Sequence, residues 1–369
     1  MSVTTAVERV HNFSAGPAVL PLSVLKQIQN ELLVLPGCGA SILEISHRSA
    51  QFIDILQEAT QRLRTLLSIP EDYEVLYLQG GSRLQFSMVP LNLLRGSAIA
   101  AEYVLTGSWG LKAVAEAKKE GPVRIAWDGK STHYDRLPAA DELQINNRAP
   151  FVHMTSNETI QGVQFPSEPE TGGVPIVCDA SSDFLSRPLE VERYGLIYAC
   201  AQKNAGPAGV TLVIIRKDWL GRGQESLPGY LNYRLHAQEK SLYNTPNTFG
   251  IYVFGLVAKW LLEDVGGLAA MHELNREKAN LLYKVIDESP EFFVAHARPD
   301  CRSLMNVTFR LGNDELHADF LEQAAANQLA ALKGHRSVGG IRASIYNAMP
   351  VEGVAALRDF MVDYRNRHG

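Results

Sequence analysis

Three short apolar runs stand close together in this chain: Pro175–Cys178, Leu196–Ala201 and Val210–Ile215. They are rich in Val and Ile, too short for ordinary helices, and bounded by polar or Gly/Pro positions. Such runs read as strands buried on both faces. The first ends on Asp179 and the second runs into Lys203. An ionised group taken out of water without a partner is costly, so both charges need an explanation. Alone, they read first as an acid capping a loop and an ordinary exposed lysine.

The flanking sequence points elsewhere. Strands are predicted at Glu74–Leu78, Ala98–Val104, Val123–Trp127 and Phe151–Met154. Helices alternate with them. One carries Ile53, Leu56, Ala59, Leu63 and Leu66 at three- and four-residue steps, one opens at Gly80-Gly81-Ser82-Arg83, and one spans Ser108–Lys119. This alternation predicts an α/β fold, a mainly parallel sheet with helices on both faces. Ligands of such sheets gather beyond the carboxyl ends of the strands. Gly80, Thr159, Asp179 and Lys203 all fall at or just past a predicted strand end. Pyridoxal phosphate needs a lysine for its Schiff base and an acid to keep its pyridine nitrogen protonated, and Lys203 with Asp179 meets that demand.

A chain of 369 residues exceeds one ordinary core, so two domains are expected. After Arg216 the alternation loosens into a polar, Gly-rich stretch over 221–249. A long helical stretch follows from about Phe249 to Ile286, broken at Gly266-Gly267. A smaller C-terminal α/β unit is then predicted: strand Ser303–Phe309, helix Ala318–Asn327, strand Gly340–Tyr346 and a helix from Val351 to Asn366. A net charge of −5 provides no basic field for nucleic acid. No apolar run is long enough to span a bilayer. The opening residues, MSVTTAVERVHNFS, have no apolar core, and Cys38, Cys178, Cys200 and Cys301 are scattered, so a reduced, cytoplasmic protein is expected.

Several further residues have both a plain and a functional reading. Gly80-Gly81-Ser82-Arg83 is either a tight turn or a phosphate site at a helix N-terminus. Trp109 is either core or a ring that stacks on a flat cofactor. His47-Arg48, His335-Arg336 and Arg342 are either a solvated surface or anion readers, since the arginine fork matches carboxylate and phosphate. Arg342 is the sharpest case, because it sits in a predicted strand. Cys-x-x-Cys, His-Glu-x-x-His and EF-hand patterns do not occur, so no metal is expected, and Gly-x-Ser-x-Gly does not occur either.

The runs FSAGPAVLP, EISHRS, GGSRLQF, NETIQG, CDASSDFLSRP, YACAQKNAGPAG, YNTPNTF and KGHRSVGGIRASIYNAMP carry a resemblance that extends nearly end to end. With them the chain resembles the phosphoserine aminotransferase family, class-V pyridoxal-phosphate enzymes of fold type I. The resemblance implies a large cofactor domain over 21–264, a small domain over 265–369, and an N-terminal segment, 1–20, packing with the small one. It implies that Lys203 carries the cofactor and moves the proton at the substrate's Cα, while Asp179 pairs with the pyridine nitrogen. Trp109 would stack on the ring and Thr159 would bond near its 3′-oxygen. Ser82, Arg83 and Gln202 would hold the phosphate, with Asn244 and Thr245 reaching it from the partner of a homodimer. His335, Arg336 and Arg342 would bind substrate, Arg342 on the α-carboxylate, and the partner's His47 and Arg48 would meet the distal anion. Some members have a glycine-richer phosphate turn where this chain has Ser82 and Leu84. Ser82 keeps its N–H, so phosphate binding is expected to survive.

The implied reaction is ping-pong transfer from L-glutamate to 3-phosphohydroxypyruvate, giving 2-oxoglutarate and O-phospho-L-serine in serine biosynthesis. A second keto acid, 3-hydroxy-2-oxo-4-phosphooxybutanoate on the route to pyridoxine, is implied as well. Burial beside a cationic ring is expected to lower the pKa of Lys203. A Ser/Ala–glyoxylate aminotransferase would share Lys203 and Asp179 but not need the His-Arg cluster. A cysteine desulfurase would need an exposed Cys on a mobile loop, and a mere binding protein would not need both Lys203 and Asp179.

Overall fold

The structure, a computed structural model, describes residues 9–369; the first eight residues of the expected N-terminal segment lie outside the described residues. The three apolar runs are the strands Ile176–Asp179, Tyr194–Cys200 and Thr211–Arg216, and every residue in them but Arg216 is buried. Each Val, Leu or Ile fully buried there contributes roughly 1.5–3 kcal/mol of transfer free energy, which is why the runs sit at the middle of the fold. They belong to a seven-stranded sheet. Its spatial order is Tyr73–Leu78, Thr211–Arg216, Tyr194–Cys200, Ile176–Asp179, Val152–Thr155, Ala101–Leu105 and Val123–Asp128.

Thr211–Arg216 runs against both of its neighbours, and the remaining pairs are parallel. Its direction has a local cause. Only residues 201–210 separate it from the preceding strand, and a parallel return needs a crossover of a dozen residues or more. That short return holds Lys203.

Helices cover both faces. Ala50–Leu67 starts at Ser49, whose hydroxyl accepts the Phe52 N–H, and ends on Ser68 in a left-handed conformation. Its buried face, Phe52, Leu56, Ala59, Leu63 and Leu66, meets the almost wholly apolar helix Thr248–Glu263. On the opposite face Phe86, Met88 and Val89 of helix Gly81–Leu93 join Ala113 and Val114 of helix Ser108–Ala117 in a separate cluster. Between Arg216 and Thr248 the chain is less loose than its composition suggests. A six-residue helix, Tyr233–Gln238, buries Tyr233, whose hydroxyl donates to Gln85 Oε1 at 2.6 Å. One and a half turns are too short for periodicity to reveal.

A second core surrounds the antiparallel strands Phe293–Ala295, Asn306–Leu311 and Ile341–Ser344, with helices Leu316–Ala326 and Val351–His368. Helix Leu268–Asp287 straddles the two cores: Leu268 and Met271 lie in the first, Ala279, Leu282 and Ile286 in the second. His11–Asn12 pairs with Leu329–Ala330, and Phe13 is buried in the second core.

The hairpin of Asn157–Glu158 and Val163–Gln164 fastens the large sheet to the second core. Asn157 Nδ2 donates to Asn306 Oδ1 at 2.8 Å, Thr308 Oγ1 donates to the Gln161 carbonyl at 3.0 Å, and Ser303 N donates to the Gly162 carbonyl at 2.9 Å. Gly162 has φ +71°, and a Cβ there would fall onto Thr308 Oγ1 and Asn306 O. Gly162→Ala is therefore expected to destabilise the protein by about 1–3 kcal/mol, read as a lower urea midpoint at unchanged slope.

Candidate active site

The carboxyl ends of the strands converge on Asp179 and Lys203. Asp179 is 4% exposed. Its Oδ1 accepts from Ser181 N at 3.0 Å and from the Ser181 hydroxyl, while Oδ2 has no hydrogen-bond partner among the described residues. Burial raises its pKa, and the nearby Lys203 ammonium and the two Ser181 bonds act against that rise. Lys203 lies half-buried in the turn after Cys200, with its Nζ 5.0 Å from the centre of the Trp109 ring. Burial pushes its ammonium down, but Cys200, Tyr346, Asp179 and Glu158 together carry it above the usual lysine value. The sequence argument expected a lowered Lys203. In the chain's own field the acids prevail, because the cationic ring invoked for the lowering is not part of the polypeptide.

Trp109 is the second residue of helix Ser108–Ala117. Its Nε1 donates to Thr159 Oγ1 at 2.9 Å. The helix N-terminus is held by a residue that sequence reasoning passed over. Glu158, fully buried, accepts Trp109 N at 2.9 Å and Gly110 N at 2.8 Å through its carboxylate, and Gln161 Oε1 accepts Ser108 N at 3.3 Å. Those N–H groups have no partner within the helix, and the macrodipole favours an anion beside them. A Cβ on Gly107 would sit 2.6 Å from both Gln161 Oε1 and Glu158 Cδ, so only glycine lets the two chains approach. The signal was present: Glu158 is an acid three residues past a buried strand, and Asp179 is the acid that ends the neighbouring one.

Gly80 and Gly81 both take positive φ, +86° and +64°, and turn the chain from strand Tyr73–Leu78 into helix Gly81–Leu93. That helix has no side-chain cap, so the N–H groups of its first turn, Ser82 and Arg83 among them, can receive an anion. Ser82 Oγ is within hydrogen-bond distance of Ser181 Oγ, which links the turn to Asp179. Gln202 is half-buried, and its carbonyl accepts Ala18 N at 2.9 Å, so the N-terminal loop lies against the Lys203 turn. Lys112, three residues beyond Trp109 and so on the same helix face, has its Nζ 4.1 Å from the Trp109 ring centre. Burial lowers its pKa, helped by Arg83, Arg336 and Lys203.

Arg342 Nη1 donates to the Thr159 carbonyl at 3.2 Å, so one threonine holds the Trp109 indole with its side chain and Arg342 with its backbone. His335 is depressed by burial and then by Arg342, Lys112 and Arg336, which places these cations in one neighbourhood. A cavity of about 570 Å³ opens beside them, lined in part by Ser108, Gln161, Thr308, His335 and Arg342. The remaining residues are not gathered here. Half-buried His47 and exposed Arg48 lie in the loop before helix Ala50–Leu67. Asn244 and Thr245 lie beyond Gln79, whose amide donates to the Thr245 carbonyl at 3.1 Å. Cys178 and Cys200 are buried, as expected.

A carboxylate oxygen of Asp179 without a hydrogen-bond partner, an uncapped helix start after two left-handed glycines, an indole face and a lysine above it together suit a flat, phosphorylated, cationic-nitrogen cofactor. The wider comparison agrees. The family model described as "Aminotransferase class-V" matches residues 10–357. A phosphoserine aminotransferase of Rhodopirellula baltica is 58% identical, over 98% of this chain and 96% of that protein. The solved phosphoserine aminotransferase from Bacillus circulans subsp. alkalophilus matches with TM-score 0.95 at 46% identity, covering 98% of this chain and 99% of that one. The pyridoxal-phosphate-bound enzyme from Trichomonas vaginalis matches with TM-score 0.90 at 40% identity, covering 96% and 100%. The chain belongs to the class-V aminotransferases. Within them it falls in the phosphoserine aminotransferase family, and its cofactor is pyridoxal 5'-phosphate.

Burial pushes the Glu158 carboxyl from 4.5 up to about 7. Between those values the native state binds a proton that the unfolded chain does not, so this group's contribution to stability falls as pH rises from about 4.5 to about 7 and is flat above. Glu158→Gln should lack that slope. Unfolding free energies of the cofactor-free proteins at pH 4.5 and pH 8 are expected to differ by up to about 3 kcal/mol more in the wild type than in the variant.

Proposed function

We propose that this enzyme transfers the amino group of L-glutamate to 3-phosphohydroxypyruvate, releasing 2-oxoglutarate and O-phospho-L-serine, as a step of serine biosynthesis in the cytoplasm. The observation that carries the reading is the gathering of Arg342, His335, Arg336 and Lys112 near the Trp109 ring, around a neighbourhood that must take two anions per substrate. Both amino acids have an α-carboxylate; one adds a carboxylate and the other a phosphate. An uncharged side chain, as in alanine–glyoxylate exchange, would not need the second group of cations. The same cluster suits 3-hydroxy-2-oxo-4-phosphooxybutanoate of pyridoxine biosynthesis, which has the same pair of anions.

When bound, pyridoxal phosphate supplies the carbonyl that condenses with amines and a ring that accepts electrons. Around it the chain's own groups divide the work. Asp179 holds the proton on the ring nitrogen, and that cation relieves the cost of burying its carboxylate. The first-turn N–H groups of helix Gly81–Leu93, with Ser82, Arg83 and Gln202, bind the phosphate. Trp109 would help hold the ring, and Thr159 orients the indole. Arg342, steadied by the Thr159 carbonyl, binds the α-carboxylate and so aims Cα toward Lys203. Lys203 Nζ, once neutral, takes the proton released from Cα and returns it on the other side of the transfer. In this reading the chain divides near residue 264 into a cofactor-binding and a substrate-closing unit.

Two features support a homodimer. Leu33, Val34 and Leu43 expose 82%, 57% and 62% of their surface close in sequence to His47 and Arg48. His47, Arg48, Asn244 and Thr245 also make no hydrogen bond to Asp179 or Lys203 among the described residues, as suits residues serving a neighbour's site.

Adding L-phosphoserine to the holoenzyme is expected to bleach the visible cofactor band, whereas L-alanine leaves it. Bleaching by alanine alone would favour the glyoxylate-type enzyme. Lys203→Ala should fold and lose turnover by about a thousandfold or more; steady-state activity near wild type would overturn the assignment. Arg342→Ala should raise KM for glutamate and phosphoserine alike, by about 10- to 100-fold, the value of a charge-assisted pair. A loss confined to phosphoserine would mean that Arg342 reads the phosphate.

A further inference from the structure

Lys278 is a buried charge that the reaction does not use. It lies on helix Leu268–Asp287 between the two cores, and it is 0% exposed. Its Nζ donates to four backbone carbonyls: Ile345 at 3.1 Å, Tyr346 at 2.8 Å, Asn347 at 3.3 Å and Met349 at 3.2 Å. These are its hydrogen-bond partners among the described residues. Burial pushes the ammonium down to about 7, and the four acceptors oppose that by favouring the charged form. Three protons are shared among four oxygens of one short turn. A ring of backbone carbonyls around a point charge is how proteins hold a bare monovalent cation.

The turn joins the two halves of the site. Arg342 lies three residues before Ile345 on the strand that enters it. The Tyr346 hydroxyl donates to the Ala15 carbonyl at 2.8 Å; burial raises its pKa, and Lys203 and Arg342 act against that rise. Asn347 N donates to Asn204 Oδ1 at 2.8 Å, beside Lys203, and Asn347 Nδ2 donates to the Leu185 carbonyl at 2.8 Å. Asn275, one turn before Lys278 on the same helix, donates to Asn347 Oδ1 at 2.8 Å. Without a cation, four converging carbonyl dipoles would repel one another in a dry interior, and the turn would open.

We propose that Lys278 is a positioning residue, a tethered cation whose carbonyl cage fixes the Arg342 strand against the Lys203 turn. The proposal rests on the functional reading above in assigning Arg342 to substrate. It assigns Lys278 no contact with substrate or cofactor.

Lys278→Ala empties the cage and keeps the helix. In sodium chloride at pH 6.5, where the wild-type Lys278 ammonium is charged, KM for both L-phosphoserine and L-glutamate should rise about tenfold or more, with the cofactor spectrum of the holoenzyme unchanged. Amide hydrogen exchange at Arg342 and Asn347 should accelerate. Ammonium chloride at the same ionic strength should reverse both changes in the variant and leave the wild type unaffected. Unchanged KM and exchange would overturn the proposal, and so would losses that ammonium does not reverse, since those mean packing alone. If the wild type turns over neither amino acid, the functional reading falls, while the exchange rates and their ammonium dependence still decide on the cage. If Lys278→Ala does not fold in sodium buffer, refolding yield in ammonium against sodium decides instead, and equal yields overturn the proposal.

Discussion

Burying a carboxylate costs several kcal/mol unless something answers its charge, and Asp179 sets that problem at the centre of the sheet. The protein answers half of it. Ser181 satisfies one oxygen, Lys203 lies close enough to be felt, and the second oxygen is left for a cationic ligand. Glu158 repeats the device with a different answer: its charge is met by the start of the Trp109 helix. Two acids near neighbouring strand ends are therefore met differently, one by a serine turn and a nearby lysine and one by a helix start. Behind Cys200 and Tyr346, the same two acids also help to carry the Lys203 ammonium above the usual lysine value.

Several hydrogen bonds couple the large sheet to the second core beside the site. Thr159 bonds the Trp109 indole and the Arg342 guanidinium at once. The rest of its hairpin is pinned to the second core through Asn157, Gln161 and Gly162. On the far side the Lys278 turn ties the strand of Arg342 to the residue after Lys203. The two attachments bracket the site, so the position of Arg342 relative to Lys203 depends on both.

Much of this was legible in the residue order. The buried strands, the Gly80-Gly81 turn and the placement of Asp179 and Lys203 at strand ends followed from short Val- and Ile-rich runs with charged ends. Glu158 was missed because a buried acid and a surface acid look alike until the helix it caps is brought beside it, 48 positions away. Lys112 was missed for a similar reason: an amphipathic helix normally carries lysines, and its place over Trp109 depends on which face turns inward. Lys278 sits in a helix stretch rich in charge, and nothing local marks it as a wholly enclosed cation.

By itself, then, the sequence determined the seven strands of the large sheet, the short connection that carries Lys203, and the chemical types present at the strand ends. These depend on periodicity, connection length and local turn chemistry, which act over a few residues. The tertiary structure alone decided which carboxylate stays unpaired, which cations face one another and which lysine is caged. Those outcomes depend on desolvation and on distances between groups far apart in the chain, and the protein acquires both only when its two cores close on each other.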